Sequence, residues 1–368
     1  MPVAQISRAP RAANRGSMND ELRSFLGALG RTPSADNSQP WTFSIRGQSL
    51  HCEGQPAETE GPQAAMTAHS QLMTGGAMHE AMSAQVAQAA IRATVLSGQG
   101  GAWSLSIELA AVTNHWRKAG HDALLQRHTN RLAYRPDPVL WRPQAYGLDE
   151  DIQLHLIEPG EEHRLVARAV EQSAQARFQC RELHEWLHGS LRWTDAEVER
   201  GDGLDIRTLG LPYPARALLH FLAPWSRQRR LNAMGLYKVL AANEAAGIRR
   251  APALLAITGP SHPGAVYSAG RAMLRAWTSL NAAGYAVQPY YVITDMTNRL
   301  KAQRLDADLA GLVQGSDATL RGALPRMPAD HQLHMLLRTG RPVADVPRSV
   351  RKPAEPSLLA RLGQSTAR

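Results

Sequence analysis

The sequence is poor in cysteine and contains no long apolar run. Its two cysteines, Cys52 and Cys180, are too few for a disulfide framework or a cysteine-rich zinc module. No apolar stretch approaches the roughly 18 residues of a membrane-spanning helix. These absences exclude disulfide-stapled and membrane-spanning classes. They favour a globular protein of a reducing, cytoplasmic compartment, for which we expect no membrane partner.

Lysine is also scarce, although the chain is basic. Its formal net charge is +9, and only four of its 41 basic residues are lysine, so arginine dominates. A basic chain can bind nucleic acid, a membrane surface or a phosphorylated small molecule. The sequence has no zinc finger, no RNA-binding-sheet signature and no lysine-rich tail, so we expect no nucleic-acid partner. Arginine binds planar phosphate groups in bidentate fashion better than lysine does, and we expect a small-molecule partner.

Hydropathy patterns predict an α+β chain in which two segments share one layout. The first, residues 19–114, is predicted to hold an amphipathic helix, a polar loop, a hairpin, a long helix and a strand. The predicted bounds are 19–29, 32–40, 41–52, 78–96 and 102–109, with the long helix ending at Ser97-Gly98.

The second segment, residues 115–347, is predicted to begin again with a helix, a polar loop, a strand and a helix. A buried strand, a long helix ending at Gly284 and a final strand follow. The predicted bounds are 115–126, 127–138, 152–157, 165–176, 253–258, 265–283 and 286–294. Residues 180–250 have no counterpart in the first half and are predicted to be a partly helical insertion. Residues 1–18 are predicted to be a flexible start and 348–368 an extended tail.

A stiff polar loop follows the first helix. Between Pro33 and Pro40 it carries Ser34, Asn37 and Gln39, whose hydroxyl and amide groups match the alternating donors and acceptors of a planar heterocycle. The same pattern is typical of an ordinary Pro-bounded turn with local capping by Ser or Asp. Spacing alone leaves both interpretations open.

A basic loop opens the second half. Arg127 and Arg131 stand four residues apart and flank the hydroxyl of Thr129. On an ordered loop both guanidinium groups can reach one phosphate, and Thr129 can donate as well. A solvated basic turn is the alternative interpretation.

Together the two loops resemble those of the nitroreductase-like, FMN-binding superfamily, and within it the Acg-type branch of fused, internally duplicated members. The motifs are Pro-Ser-x-x-Asn-x-Gln-Pro-Trp at 33–41, Arg-x-Thr-x-Arg at 127–131, Gly-Arg-Ala leading to Gly-x-x-x-Gln-Pro at 270–289, and Arg-x-Gly-x-Pro with Pro-x-Ser-x-Arg at 338–351. The resemblance implies an α+β, nitroreductase-like fold. Two fused half-units would imitate a homodimer, and residues 180–250 would form a helical lid.

The resemblance also implies roles for the basic loop and the tail. Arg127, Thr129 and Arg131 would hold the FMN phosphate and the ribityl or pyrimidine side of the flavin. Arg351 would add to the grip on the phosphate. The first half has no such arginine pair before its polar loop, since the stretch from Phe25 to Thr32 offers only Arg31. We therefore expect one FMN per chain and a monomer that acts as a pseudo-dimer.

The flavin ring would be held by the other motifs. The resemblance implies that Ser34, Asn37 and Gln39 face the isoalloxazine from the first half. The turn containing Gln288, Pro289 and Tyr291 would place backbone donors near flavin N5.

The implied function is an FMN-dependent oxidoreductase that passes hydride through flavin N5 to or from a small organic substrate. The sequence has no Gly-x-Gly-x-x-Gly fingerprint, so NAD(P)H would bind only transiently, as an electron donor in the substrate pocket. No side chain is assigned as a catalytic acid or base. A flavin-binding protein whose lid blocks turnover is the alternative.

One motif points elsewhere. His184-Glu185-Trp186-Leu187-His188 reads His-Glu-x-x-His, with Glu244 about 60 residues on, which is the ligand pattern of a zinc hydrolase. The surroundings are arginine-rich and apolar, and we expect surface histidines on a lid helix and no bound metal.

Overall fold

The computed structural model describes residues 13–55, 64–95, 100–114, 117–144 and 151–353. The helices in these ranges are α1 (Ala13–Leu29), α2 (Ala64–Gln85), α3 (Leu109–Asn114), α4 (Lys118–Gln126), α5 (Glu161–Arg177), α6 (Arg181–Ser190), α7 (Asp195–Val198), α8 (Tyr213–Leu222), α9 (Trp225–Ala233), α10 (Leu236–Arg249), α11 (Pro263–Ala282), α12 (Val292–Lys301) and α13 (Ala307–Ala323). The strands are β1 (Trp41–Arg46), β2 (Ser49–Gly54), β3 (Ile91–Val95), β4 (Trp103–Glu108), β5 (Gln153–Ile157), β6 (Leu191–Arg192), β7 (Leu204–Asp205), β8 (Ala253–Pro260), β9 (Ala286–Tyr290) and β10 (His331–Gly340).

Two four-stranded antiparallel sheets organise the chain, which is therefore α+β as predicted. The first has the order β1-β2-β4-β3 and the second the order β5-β8-β10-β9. β6 and β7 form a separate two-stranded parallel pair. The described part of the chain contains no helix that is both long and apolar enough to cross a membrane.

The second sheet is covered by helices on both faces. Successive strand residues point to opposite faces, and β8 is buried along its length. Leu255 and Ile257 join a core cluster with α1, α2, α11 and the first sheet. Leu254 and Ala256 join a second cluster with α5, α10, α12 and α13.

The long helices α2 and α11 pack along each other between the two sheets. Glycine makes this approach close, because a Cβ built on Gly270 would lie 2.1 Å from the carbonyl oxygen of Met73. Glu80 on α2 accepts from Arg275 Nε and Nη2 at 2.7 Å each. This pair of helices joins the N-terminal and C-terminal parts of the described fold.

Several predicted element bounds were wrong. The helix predicted at 78–96 is residues 64–85, and 91–95 is strand β3, because the β-branched Ile91, Thr94 and Val95 pair with β4. A long helix that ends at a glycine just before the strand predicted at 102–109 is therefore absent from the described residues. Ser97-Gly98, the predicted end of that helix, lies outside them.

Two further bounds differ. The strand predicted at 286–294 stops at Tyr290, and helix α12 begins at Val292 with Tyr291 as its cap. Residues 13–18, predicted as part of a flexible start, extend helix α1, which Ala, Arg and Met favour. Residues 1–12 and 354–368 lie outside the described residues.

Candidate functional site

A cavity of about 400 Å³ opens where segments from the N-terminal and C-terminal parts of the chain meet. Its walls come from the loop at 33–40, from α2 through Gln71 and Met73, from the basic loop, from α11 through Met273 and Trp277, and from the strand end at 288–291. Helix α6 and the tail at 349–351 complete it. The volume is in the range of small-molecule and cofactor sites.

Nearly all residues singled out in the sequence line this cavity. The lining includes Ser34, Asn37, Arg127, Thr129, Arg131, Gln288, Pro289, Tyr291 and Arg351. Gln39 does not line it. Segments more than 300 residues apart in sequence thus meet at one place.

The basic loop is fixed to strand β9 by backbone pairing. Thr129 forms a parallel bridge with Val287, and Asn130 N donates to Val287 O at 2.9 Å. The Asn130 side-chain oxygen accepts from Leu132 N at 2.8 Å and closes the turn. These bonds place Arg127 and Arg131 beside Gln288.

The polar loop has an unusual backbone. Asp36, Asn37 and Gln39 have φ values of 46°, 59° and 51°, in the left-handed region that non-glycine residues rarely adopt. Ser34 Oγ accepts from Gln39 N at 3.0 Å and helps to hold this shape. Backbone strain of this kind persists only where surrounding contacts impose it, and it concentrates at functional sites.

Contacts with the tail and the insertion impose the shape of the loop. Gly201 O accepts from Asn37 Nδ2 at 3.3 Å and from Gln39 Nε2 at 2.7 Å. Asn37 Nδ2 also donates to Val350 O at 3.0 Å, and Gln39 Oε1 accepts from Lys352 N at 3.1 Å. The expectation that Gln39 faces a ligand is corrected by this geometry, because its amide is used to fasten the tail.

The guanidinium groups of Arg127 and Arg351 line the cavity, and those of Arg31 and Arg348 lie close to Arg127. We call Arg31, Arg127, Arg348 and Arg351 the arginine cluster. Arg127 is 3% exposed, lies over the Trp277 ring at 4.6 Å and donates to Arg31 O from Nε at 3.0 Å and Nη2 at 2.6 Å. Arg351 donates to Thr32 O at 3.4 Å.

The cluster has no counter-charge in the described part of the chain, where no carboxylate forms an ion pair with any of its members. Burial lowers the pKa of Arg127 well below its usual value, and the positive charges of Arg351, Arg31 and Arg348 lower it further. Burial, with the charge of Arg31, lowers the pKa of Arg351 to about 10. Buried charges in proteins are normally paired, so the part of the cavity that Arg127 and Arg351 line is prepared for an anion.

The cavity wall also carries an acidic group that sequence analysis did not single out. Asp295, on the first turn of α12, lines the cavity and is 5% exposed. Burial raises the pKa of its carboxyl to about 7, against the opposing effects of Arg299 and Arg177. No motif marked this residue, since 286–294 was predicted to be a strand.

Buried polar atoms without a hydrogen-bond partner also gather around the cavity. Among its lining residues these are Gln71 Oε1, Arg177 Nε, Gln288 Oε1, Asp295 Oδ1 and Arg351 Nε. Buried polar atoms are nearly always hydrogen-bonded. A ligand that offers both donors and acceptors would satisfy this mixed set.

Helix α6 closes one side of the cavity. Leu183, Trp186 and Leu187 line it, and Trp186 Nε1 donates to Asp36 Oδ2 at 2.7 Å. An element of the 180–250 insertion thus reaches the polar loop directly.

The zinc-hydrolase geometry is not assembled on this helix. His184 Nε2 lies 2.9 Å from Ala223 O, Glu185 pairs with Arg181 at 2.7 Å, and Glu244 pairs with Arg177 at 2.5 Å. Across the residues that the structure describes, no group of three His, Cys, Asp or Glu side chains is placed to hold a metal. Burial, with the nearby His184 and His220, lowers the pKa of His188 to about 4.

The chain is similar to nitroreductases of known structure. An FMN- and NADPH-dependent nitroreductase NfnB from Sphigopyxis sp. strain HMH shares 20% identity, with 62% of this chain and 93% of that chain covered and a TM-score of 0.31. NfnB from Mycobacterium smegmatis, solved in complex with NADPH, shares 15% identity, with 63% of this chain and 94% of that chain covered and a TM-score of 0.32. A nitroreductase-like protein from Bacillus cereus shares 11% identity, with 62% of this chain and 87% of that chain covered and a TM-score of 0.28.

These similarities carry no argument at such identities and TM-scores. No protein-family model matches the sequence, and no curated protein matches it.

Proposed function

We propose that the cavity binds FMN and that the chain is an FMN-dependent oxidoreductase of the nitroreductase-like type. The observation that carries this proposal is the arginine cluster, of which Arg127 and Arg351 line the cavity and no member has a paired carboxylate in the described residues. A phosphate monoester carries the charge and the oxygen acceptors that such a cluster lacks. Arg127 and Arg351 are the proposed phosphate ligands.

The rest of the cavity fits a flavin ring in its polarity. Gln71 and Gln288 each have a buried amide oxygen without a donor, which can accept from a ring N–H. Arg131 lines the cavity, donates to Thr208 Oγ1 at 3.5 Å and has the Asp36 carboxylate nearby, and it can face an electron-rich pyrimidine edge. Ser34, Thr129 and Asn37 complete the polar wall.

Bound FMN would supply hydride chemistry at N5. The chain's own residues would bind and orient the ring, and Trp186 and Leu187 would exclude water from its face. A small organic substrate, and NAD(P)H as a transient electron donor, would use the remaining space between α6 and α12.

The two sheets support a finer proposal about organisation. Residues 19–114 and 115–347 would be two half-units, with 180–250 as the lid insertion and 348–368 as the tail. The cavity between them would then correspond to a site that separate subunits form in a dimer, so we propose a monomer with one FMN, as in the Acg-type branch. Light scattering should return the mass of one chain, 40.2 kDa.

Flavin binding tests the assignment. We expect purified protein to contain FMN at about one per chain. Arg127→Met and Arg351→Met should each weaken FMN binding by roughly ten- to a hundredfold, because each loses a charge-assisted contact of about 1.5–3 kcal/mol. The matched control is Arg135→Met, an exposed arginine of the same segment.

The outcomes separate the candidate functions. Release of FAD, or of no flavin after reconstitution, contradicts the proposal. A flavin-sequestering protein is indicated instead if FMN binds tightly but is not reduced by NAD(P)H, and if the dithionite-reduced flavin is not reoxidised by a quinone or nitro compound.

A further inference from the structure

Two proton-bearing side chains lie one helical turn apart on the cavity wall. Tyr291 caps α12, Asp295 follows in its first turn, and Asp295 N donates to Tyr291 O at 2.9 Å. Both side chains line the cavity. A reduction carried out here needs a proton as well as an electron pair, and the Tyr291 and Asp295 side chains differ in their ability to give that proton.

The proton of Tyr291 is already committed to a buried chain of histidines. His334 Nε2 lies 3.0 Å from Pro260 O, a carbonyl that can only accept, so this nitrogen carries the hydrogen. In the neutral ring the other nitrogen, Nδ1, must accept, and His69 Nε2 donates to it at 3.1 Å. Burial lowers the pKa of both His69 and His334, which keeps the rings neutral.

The same logic fixes the last bond of the chain. With its hydrogen on Nε2, His69 can only accept at Nδ1, so the Tyr291 hydroxyl donates to it at 2.7 Å. The Tyr291 hydrogen is therefore committed to His69, and the side chain of Asn298 also interacts with the phenol. Burial raises the pKa of Tyr291 well above its usual value, so the phenol stays protonated.

Asp295 has the opposite character. Its Oδ1 has no hydrogen-bond partner, although the side chain is 5% exposed. The charged groups around it are Arg299 on its own helix at 3.8 Å, Arg177 on α5 and Asp36 on the polar loop, with Tyr291 alongside.

Both arginines near Asp295 are shared with other carboxylates. Arg177 pairs with Glu244 at 2.5 Å, and Arg299 pairs with Glu182 at 2.9 Å. The negative form of Asp295 is thus only partly compensated, and the neutral acid is available. The pKa of about 7 agrees with this geometry.

We infer that Asp295 is the catalytic acid of this cavity and that Tyr291, whose proton is held by His69, does not supply the proton. The inference rests on the proposed function, which supplies the electron pair from reduced flavin. In the step, the O–H bond of Asp295 breaks as an O–H or N–H bond forms on the substrate, and water later returns the proton to the carboxylate. The substrate class is a molecule whose reducible oxygen or nitrogen accepts a proton, such as a quinone or a nitro compound.

Variants on α12 test the inference. Asp295→Asn should slow the reoxidation of pre-reduced enzyme by a quinone at pH 6, by on the order of a hundredfold. It should also remove the fall in rate that wild type shows as the pH rises through about 7. Tyr291→Phe removes no donor to the substrate, so it should keep the same pH profile. Asp308→Asn, the same change on an exposed residue of α13, is the control.

A second measurement needs neither flavin nor turnover. Infrared difference spectra of flavin-free protein should show the carbonyl stretch of a protonated carboxyl group that disappears near pH 7 and is missing in Asp295→Asn. Absence of this band in wild type overturns the inference, as does an Asp295→Asn enzyme that binds FMN and keeps the wild-type pH profile. Failure of wild type to bind FMN would instead refute the proposed function, and the infrared titration would still decide whether Asp295 holds a proton.

Discussion

Trp186 and Asp36 join helix α6 to the polar loop through one hydrogen bond at the wall of the cavity. The indole N–H donates to Asp36 Oδ2 at 2.7 Å, and Ser190 Oγ donates to the same oxygen at 3.5 Å. Asp36 itself is held at a φ of 46°. The bond therefore ties an exposed aromatic side chain of α6 to the polar loop, whose unusual backbone other contacts hold in place.

Removing this bond should speed ligand exchange. Trp186→Phe keeps an aromatic ring over the cavity but deletes the N–H donor, at a cost of about 1 kcal/mol, or roughly fivefold in rate. Release of FMN after dilution, followed by flavin fluorescence, should accelerate by that factor. Trp193→Phe is the control, because Trp193 meets the His220 ring edge to face at 5.0 Å between centroids and does not line the cavity. Equal release rates in the two variants would show that the contact does not limit opening.

The arginine cluster predicts stabilisation of flavin-free protein by oxyanions. Sulfate or phosphate bound between Arg127 and Arg351 would relieve their mutual repulsion. At tenfold excess over its Kd, the anion adds about 1.4 kcal/mol to the free energy of unfolding and about 2–4 °C to Tm. Chloride at the same ionic strength should give a smaller shift, and Arg351→Gln should abolish the difference. An equal rise in Tm with chloride and with sulfate or phosphate would contradict a phosphate site.

Motifs located much of the candidate site because backbone pairing joins them. Arg127, Thr129 and Arg131 were placed with Gln288 from sequence, and the Thr129–Val287 bridge brings these segments together. The role of Gln39 was not predictable, since its partners Gly201 and Lys352 are distant in sequence. Nothing local distinguishes an amide that fastens a tail from one that faces a ligand.

Secondary structure was predictable where one period dominated. The hairpin around Gly47 and the buried strand β8 were predicted closely. The apolar, alanine-rich stretch before Ile91 has no clear period, and tertiary pairing with β4 decided that 91–95 is a strand. Asp295 was missed for a related reason, because an apolar run through Val292 and Ile293 suits strand and helix alike.

Asp295 should lower stability at neutral pH. Its folded pKa of about 7 lies above the ordinary aspartate value of 3.8, so the folded state binds the proton more tightly. Stability is then greatest below about pH 4 for this group and falls as the pH rises to about 7. Asp295→Asn should raise the free energy of unfolding by about 2–4 kcal/mol at pH 8 and by little at pH 4. Urea unfolding at both pH values measures this, and an equal effect at both would contradict a raised pKa.

The close approach of α2 and α11 sets the width of the cavity, and glycine permits it. A Cβ on Gly270 would meet Met73 O at 2.1 Å, and one on Gly76 would meet Tyr267 O at 1.9 Å, in both cases backbone that no rotamer change can move. Gly270→Ala must separate the helices, and such overpacking costs about 1–3 kcal/mol. Because Met73 and Trp277 reach the cavity from these two helices, FMN affinity should fall as well.

Gly311→Ala is the matched control for that variant. Gly311 lies on the exposed face of α13, with nothing within 4 Å of a Cβ built there. The same substitution should therefore stabilise the chain by about 0.5–1 kcal/mol, through helix propensity alone. Chemical unfolding of the two variants should give changes of opposite sign, and flavin titration should show a loss only for Gly270→Ala. If Gly270→Ala were as stable as Gly311→Ala, α2 and α11 would not pack as closely as the structure shows, and the cavity walls they carry would lie further apart.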